Sequence, residues 1–392
     1  MSLIFEPQFL NLIAKAPHRM DHRSTAPIRI AIVGHGNLGR GVEAAIARNP
    51  DMVLAGIYTR RDPAQLRPLQ PGTPVHGMDS LLAHRAGIDV LVLCGGSKDD
   101  LPQQSPALAA HFSLVDSFDT HARIPGHFEL VDAAARAAGT TALISAGWDP
   151  GMFSLQRLMG EALLPDGASY TFWGKGLSQG HSDAIRRIPG VAGGVQYTIP
   201  VDEAVQRVRS GVRPELSARE RHRRECFVVL EHGADADGVR QAITGMPHYF
   251  DEYDTTVHFI SAQELARDHA AMPHGGFVIR SGSSSDGLRH SIEYRLQLDS
   301  NPEFTASVLV AYARAVHRLQ QSGQTGCRTV FDVAPGLLSL HHLGSFKLAA
   351  LLAAEQEVVV GVAEGMRRGR AGRGEAAGRA AATAGHNKST YI

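Results

Sequence analysis

The chain has 392 residues, with 39 Lys and Arg against 39 Asp and Glu for a formal net charge of +0, and 43% of its residues are hydrophobic. That balance belongs to a globular protein. It excludes a disordered or membrane-embedded chain and leaves no global field to draw nucleic acid or anionic lipid.

The length exceeds what one core organises, so two domains are expected. Residues 1–27 lack the basic start, apolar middle and small-residue cleavage site of a secretory signal, and read as an amphipathic or frayed extension. No apolar run is long enough to span a bilayer. Cys94, Cys226 and Cys327 are scattered without C-x-x-C spacing, which fits a reducing cytoplasm rather than a disulfide framework or zinc site. The 20 histidines show no ligand spacing, so no metal is expected.

From Ile28 the text "IRIAIVGHGNLGRGVEAAIARNPDMVLAGIYTRRD" alternates a short apolar run, a glycine turn, a helical stretch and a second apolar run, which predicts a βαβ unit. Gly34, Gly36 and Gly39 give G-x-G-x-x-G between strand and helix, with His35, Asn37 and Leu38 among them. In such a turn the glycines allow a tight bend, close approach of a pyrophosphate and tight helix–strand packing, with the anion at the helix N-terminus. The His35 side chain is expected near the pyrophosphate. The second strand ends in Thr59, Arg60 and Arg61, where an NAD-binding protein carries an acidic residue. Two guanidiniums suit a 2′-phosphate and offer a ribose hydroxyl no acceptor, so NADP is the predicted cofactor.

The next apolar runs end in Cys94, Gly95, Gly96 and Ser97, and in Ser117, Phe118 and Asp119, at the edge that lines the crevice of a doubly wound sheet. Cys94 reads as a small packed hydrophobe. Of Asp116 and Asp119, one is expected to cap a helix and the other to face the crevice. A further run, "TALISAGWDPG", brings Ala146, Gly147, Trp148, Asp149, Pro150 and Gly151, which are counted with the cofactor-binding residues. The prediction is an α/β fold: a Rossmann-type doubly wound domain over 28–147, covered by helices on both faces.

Beyond Gly151 the rhythm changes to "SYTFWG", "GGVQYTIP", "ECFVVLEHG", "YDTTVHFI", "GFVIRSG" and "RHSIEYRLQL", strand-like stretches linked by polar turns. They predict a mixed, largely antiparallel α+β domain over 148–302. "NPEFTASVLVAYARAVHRLQQSG" has helical periodicity and is expected to return to the first domain, over about 303–345. Residues 366–392, rich in Gly, Ala and Arg, are expected to be disordered.

"AIVGHGNLGRGVE", "TRRD", "GWDPGMFS", "FWGKGLSQGHSDAIRRIPGV", "MPHGG", "IEYRLQLDSNPEFTAS" and "DVAPGLLS" resemble the meso-diaminopimelate D-dehydrogenase family, in order, from about Ile28 to Ser339. The resemblance implies a homodimer, with 148–302 as its substrate-binding and dimerisation domain, catalysing NADP-dependent, reversible oxidative deamination at the D-centre of meso-2,6-diaminopimelate. The products implied are L-2-amino-6-oxopimelate, which cyclises to tetrahydrodipicolinate, with ammonia and NADPH, in lysine and diaminopimelate biosynthesis.

Such a substrate carries an amino acid at each end. By the resemblance, Gln179, Gly180, Asp183, Thr198, Arg224 and His274 belong to the substrate site, the distal carboxylate falling to Arg224, Thr198 and His274 and the distal ammonium to Asp183. The reacting centre falls to Asp119, Trp148 and Asp149, with Trp173 in the pocket and Asn301 as a further polar contact. Either aspartate can orient the amine or accept its proton, and the sequence leaves open which one does. Arg186 and Arg187 read as solvated or structural, and His181 is undecided. The departures are the first 27 residues, the chain beyond about Leu340, and His35 where a tyrosine is common. Competing readings are an NADP-dependent D-amino-acid dehydrogenase of broader specificity and a non-catalytic NADP(H)-binding sensor.

Overall fold

A computed structural model describes residues 26–247 and 249–340. The N-terminal extension up to residue 25, the last residues of the returning segment and the 366–392 tail lie outside the described residues.

The first layer is a seven-stranded sheet in the order β14-β6-β5-β4-β1-β2-β3, with every pair parallel. Its strands are β1 (Ile28–Val33), β2 (Met52–Thr59), β3 (Val75–Gly77), β4 (Val90–Leu93), β5 (Leu114–Asp116), β6 (Thr141–Leu143) and β14 (Gly326–Arg328). Because helices cover both faces, the central strands read as unbroken apolar runs, and all four residues of β4 are buried. On one face α1 (Asn37–Ile46) packs with the long α10 (Asn301–Gln321), so closely that a side chain at Gly41 would come within 2.9 Å of Ala306. On the other face lie α2 (Leu101–Ala109) and α3 (Ile124–Ala138), burying Leu101, Ala109, Val131 and Ala135 against Leu91, Leu93 and Leu114. β1 has β2 on one side and β4 on the other, so the connections leave it in opposite directions and open a crevice at the strand ends.

After α4 (Met152–Leu163) the chain builds two smaller sheets. One runs β13-β12-β7, from β7 (Asp166–Trp173), β12 (His274–Ser285) and β13 (Leu288–Leu298), antiparallel throughout. The other runs β11-β10-β9-β8, from β8 (Gly176–Leu177), β9 (Val191–Pro200), β10 (His222–Leu230) and β11 (Asp254–Phe259). Here β10 and β11 pair in parallel, because α8 (Ala236–Thr244) carries the chain back between them. α5 (Gln179–Arg186) and α8 close one core around Ile185, Cys226, Val228, Ile243 and Phe250, while α6 (Asp202–Arg209) closes another around Phe172, Val208 and Ile279. The short α7 (Ala218–Arg221) and α9 (Ala262–Asp268) complete the elements, each opened by a serine capping box. Trp148, Phe153, Val278 and Leu298 form a further cluster where the two parts meet. Among the described residues no helix is long and apolar enough to cross a membrane.

Candidate active site

A cavity of about 700 Å³ lies where the C-terminal ends of β1, β4, β5 and β6 face β7, β9, β10 and the start of β12. The nucleotide-type wall is mostly backbone: Gly36, Asn37, Leu38, Cys94, Gly95, Gly96, Ser97, Ser117, Ala146, Gly147 and Pro150. Gly34 turns with φ +91°, and a Cβ on Gly39 would sit 2.2 Å from the Gly34 carbonyl oxygen, so only glycine lets α1 start so close to β1. A Cβ on Gly36 would meet nothing within 4 Å, leaving open space at the N-terminus of α1. That terminus has neither a side-chain cap nor an acidic residue in its first turn, so its N–H groups are free for an anion. These features fit a pyrophosphate.

At the end of β2, Thr59 is buried and its hydroxyl accepts the Arg61 N–H, while the Arg61 guanidinium donates to the His35 carbonyl at 2.7 Å. Arg60 is 66% exposed and reaches Asp100 at 2.8 Å. Arg61 is thus tied to the glycine turn and Arg60 to Asp100, both outside the cavity lining, and their guanidiniums are the groups that would hold a 2′-phosphate.

Three residues of this wall stand differently from expectation. The His35 side chain does not face a pyrophosphate: it is buried, with Nε2 2.8 Å from Glu43, whose other oxygen accepts the Gln70 N–H. Glu43 sits on the buried face of α1, where a carboxylate needs a partner, and His35 is that partner. Phe118 likewise belongs to the core, stacked on His127 at 4.1 Å. Gly151 also lies outside the lining: at φ +129° its missing Cβ leaves room for the Gly147 carbonyl oxygen, 1.9 Å from where it would be. Cys94 lines the cavity with its thiol pKa pushed up by burial, a protonated group rather than a nucleophile.

The opposite wall is built from side chains. Asp149 is almost fully buried, and its two oxygens accept from Arg157 at 2.8 Å and from the Trp173 indole at 2.7 Å. Trp148 donates to Asn301 at 2.8 Å and leans on His274, ring centroids 4.7 Å apart. Asp119 is exposed to the cavity, its backbone N–H held by the Ser97 hydroxyl at 2.8 Å; its carboxylate has no hydrogen bond or ion pair among the described residues. Of the two aspartates near β5, Asp116 is fully buried and Asp119 faces the crevice.

Farther in, the register of β9 against β10 sets Thr198 directly beside Arg224, and the guanidinium donates to the Thr198 hydroxyl. Arg224 also lies 4.0 Å from the Tyr253 ring. It is buried, with no carboxylate partner among the described residues and no hydrogen bond to its Nε. Burial pulls its pKa down, yet an arginine stays charged, so the cavity holds an uncompensated cation. Around it burial, seconded by Arg224, holds His181 near a pKa of about 4 and His222 near about 3, and burial lowers His274 too. His274 Nδ1 stands 2.8 Å from the Gly275 N–H and 3.2 Å from the Gly275 carbonyl oxygen; in the tautomer that accepts the N–H, Nε2–H is left as a donor. A Cβ on Gly176 would press to 2.3 Å from that Nδ1, so the neighbouring strand holds the ring in position.

Gly180 lines the cavity next to Gln179, the first residue of α5. Asp183 does not line it, contrary to its expected ammonium-binding role: it is 47% exposed and pairs with Arg186 at 3.3 Å and Arg187 at 2.5 Å. Spacings of three and four residues on one helix make those pairs the local outcome. Residues not singled out from the sequence include Ser178 and Tyr253 in the lining, Arg157 behind Asp149, and His222, whose Nε2 accepts the Trp173 N–H at 2.9 Å. His222 was legible: it is two positions before Arg224 on one strand, hence on the same face. Tyr253 arrives from a loop with no local signal.

Residues 147–300 match the family model described as the diaminopimelic acid dehydrogenase C-terminal domain. The meso-diaminopimelate D-dehydrogenase of Ureibacillus thermosphaericus is 62% identical over 312 residues, covering 80% of this chain and 95% of the relative. The chain belongs to the meso-diaminopimelate D-dehydrogenase family. The Corynebacterium glutamicum diaminopimelate dehydrogenase in complex with diaminopimelate has a similar structure, with TM-score 0.78 and 47% identity over 83% of this chain and 99% of that one. An engineered D-amino acid dehydrogenase bound to NADP+ superposes with TM-score 0.74 at 45% identity, covering 82% and 99%. Members of the family thus share both the parallel sheet and the mixed second region seen here.

Proposed function

We propose that this protein is an NADP-dependent meso-diaminopimelate dehydrogenase of lysine biosynthesis. It oxidises the D-centre of meso-2,6-diaminopimelate to L-2-amino-6-oxopimelate, which cyclises to tetrahydrodipicolinate, and releases ammonia. The observation that carries this reading is Arg224, a buried cation without a carboxylate partner among the described residues, in the same cavity as Asp119 and Asp149. A distal carboxylate would neutralise Arg224 and accept from the Thr198 hydroxyl and His274 Nε2–H, while the amine end would meet the aspartates.

The bound dinucleotide would take up the hydride from Cα. Asp149, fixed by Arg157 and Trp173, suits an orienting role toward the reacting ammonium. Asp119, free of such partners, suits the proton-accepting role: it would take a proton from the ammonium before hydride departure, release it to solvent, and then take one from the water that adds to the iminium carbon. Trp148 and Trp173 keep the reacting end apolar and limit stray water. Asp183, already paired to two arginines, is left out of this assignment.

The protein is also proposed to act in the cytoplasm, in keeping with its free cysteines Cys94, Cys226 and Cys327, and as a homodimer, checked by light scattering. The central experiment follows NADPH formation at 340 nm with meso-, LL- and DD-diaminopimelate, D-lysine and D-alanine. Turnover confined to the meso isomer is expected, because a substrate without the distal groups leaves Arg224 unpaired. Turnover of simple D-amino acids would make it a broader D-amino-acid dehydrogenase, and NADPH binding without turnover would make it a sensor.

A further inference from the structure

Asp116 ends β5, is fully buried, and takes no part in the cavity lining. Its Oδ1 accepts the N–H of Phe118 at 3.1 Å and that of Ser145 at 2.9 Å. Its Oδ2 accepts the Ser105 hydroxyl at 2.6 Å and stands 2.8 Å from His127 Nε2. The Asp116 carbonyl oxygen takes the Ala146 N–H at 2.9 Å. One residue therefore fastens both the turn that leads to Asp119 and the turn that leads to Trp148 and Asp149.

Two further observations converge on it. Ser145 has φ +57°, the one non-glycine among the described residues in the left-handed region. A side chain makes that conformation costly, so it persists where the surroundings over-determine it; the bond from the Ser145 N–H to a buried carboxylate is such a restraint. His127, buried in turn, has Nδ1 without a hydrogen-bond partner, so the ring is anchored through Nε2 on Asp116 and by stacking on Phe118. Ser105 and His127 fix the carboxylate from α2 and α3, and the carboxylate fixes the two turns.

We propose that Asp116 is a positioning residue for the oxidation: its charge-assisted hydrogen bonds to both turns set where Asp119 and Asp149 stand relative to each other. The inference deepens the function proposed above and rests on it. Asp116 itself does not line the cavity, so it acts through the turns. Ser117, Ala146 and Gly147 in these turns also line the nucleotide-type wall, while the glycine turn, Arg60 and Arg61 are bonded elsewhere, so dinucleotide affinity should depend on Asp116 far less than kcat does.

The test compares wild type with Asp116→Asn and Asp116→Ala. It reads kcat and KM for meso-diaminopimelate, the Kd of NADPH by fluorescence, and the isotope effect on kcat with the D-centre deuterated. Asparagine keeps an acceptor for the two turn N–H groups, alanine none. The expected falls in kcat are about tenfold and about 100-fold, the scale of a displacement near 1 Å. KM should stay within about threefold, NADPH Kd should change several-fold less than kcat, and the isotope effect should rise as the hydride step slows. Unchanged kcat overturns the proposal, as does a loss spread equally over kcat, KM and NADPH Kd. Should alanine fail to fold, the asparagine variant decides.

Amide exchange of segments 117–119 and 145–149 is followed in parallel and requires no turnover. Faster exchange in these two segments alone supports the proposal, and unchanged exchange overturns it. A wild type inactive on diaminopimelate would overturn the proposed function instead, and amide exchange would then decide whether Asp116 holds the two turns.

Discussion

The two walls of the cavity use opposite physics. The nucleotide-type wall offers backbone N–H groups and two arginines at its outer edge, one of them 66% exposed. The substrate wall offers buried side chains, with Arg224 uncompensated and Asp149 bonded through both oxygens. An exposed ion pair is worth about 0–1 kcal/mol, whereas losing one partner of a buried, hydrogen-bonded charge pair costs about 2–5 kcal/mol. Recognition is therefore distributed over many weak contacts on one wall and concentrated in a few strong ones on the other. Single substitutions should hurt far more on the second.

The sharpest way to break that comparison is Arg224→Met, which removes the buried cation and keeps most of the bulk. The expected result is a fall in kcat/KM for meso-diaminopimelate of roughly 10³-fold, within the 2–5 kcal/mol range for a stranded buried carboxylate, carried mostly by KM. Asp119→Asn and Asp149→Asn should instead lower kcat much more than Arg224→Met does. Steady-state kinetics of the three variants settles it: equal effects on kcat would collapse the distinction between the distal and reacting ends.

Next in size is Arg60→Ala. Its guanidinium is exposed and shared with Asp100, so its removal should raise KM for NADP about 10-fold while changing KM for NAD little. A loss comparable to that of Arg224→Met would show that the nucleotide wall also concentrates its affinity. Equal effects on both cofactors would remove Arg60 from 2′-phosphate recognition.

The same contrast decides what could be read from the sequence. The glycine turn is contiguous and its chemistry is backbone chemistry, so Gly34, Gly36 and Gly39 announce the parallel sheet and its crevice without tertiary information. The alternation in "ECFVVL" and "QYTIP" predicts β10 and β9, but not the register that sets Arg224 beside Thr198. That register depends on pairing across the fold. The family resemblance places Asp183 in the substrate site, and the structure instead shows it paired with Arg186 and Arg187 at helical spacing. His35 also departs from expectation. The deciding residue is Glu43, eight positions on, and its place on the apolar stripe of α1 with Val42 and Ile46 signals that it must find a buried partner. Tyr253 reaches Arg224 from a loop with nothing local to mark it, and Arg157 reaches back eight positions to Asp149 from α4.

The smallest effect belongs to the ring beneath the substrate wall. His222 accepts the Trp173 N–H, which it can do only while neutral, and burial together with Arg224 and Arg221 holds its pKa near about 3, against an ordinary value of 6.5. Above pH 6.5 neither the folded nor the unfolded chain protonates this ring appreciably, so its contribution to stability is fully present there. As pH falls from 6.5 toward 3, the unfolded chain takes up a proton that the folded chain refuses, and stability declines. His181, held near about 4, adds to the decline over the upper part of that window. Each such group can remove at most about 1.4 kcal/mol per pH unit. His222→Gln keeps an acceptor for Trp173 and removes the titration, so its Tm should fall less steeply between pH 6.5 and 4, by roughly 2 °C per pH unit. Identical slopes for the variant and wild type would mean that His222 protonates without strain. The substrate wall would then owe its rigidity to Arg157 and Asp149 rather than to a histidine kept neutral beside Arg224.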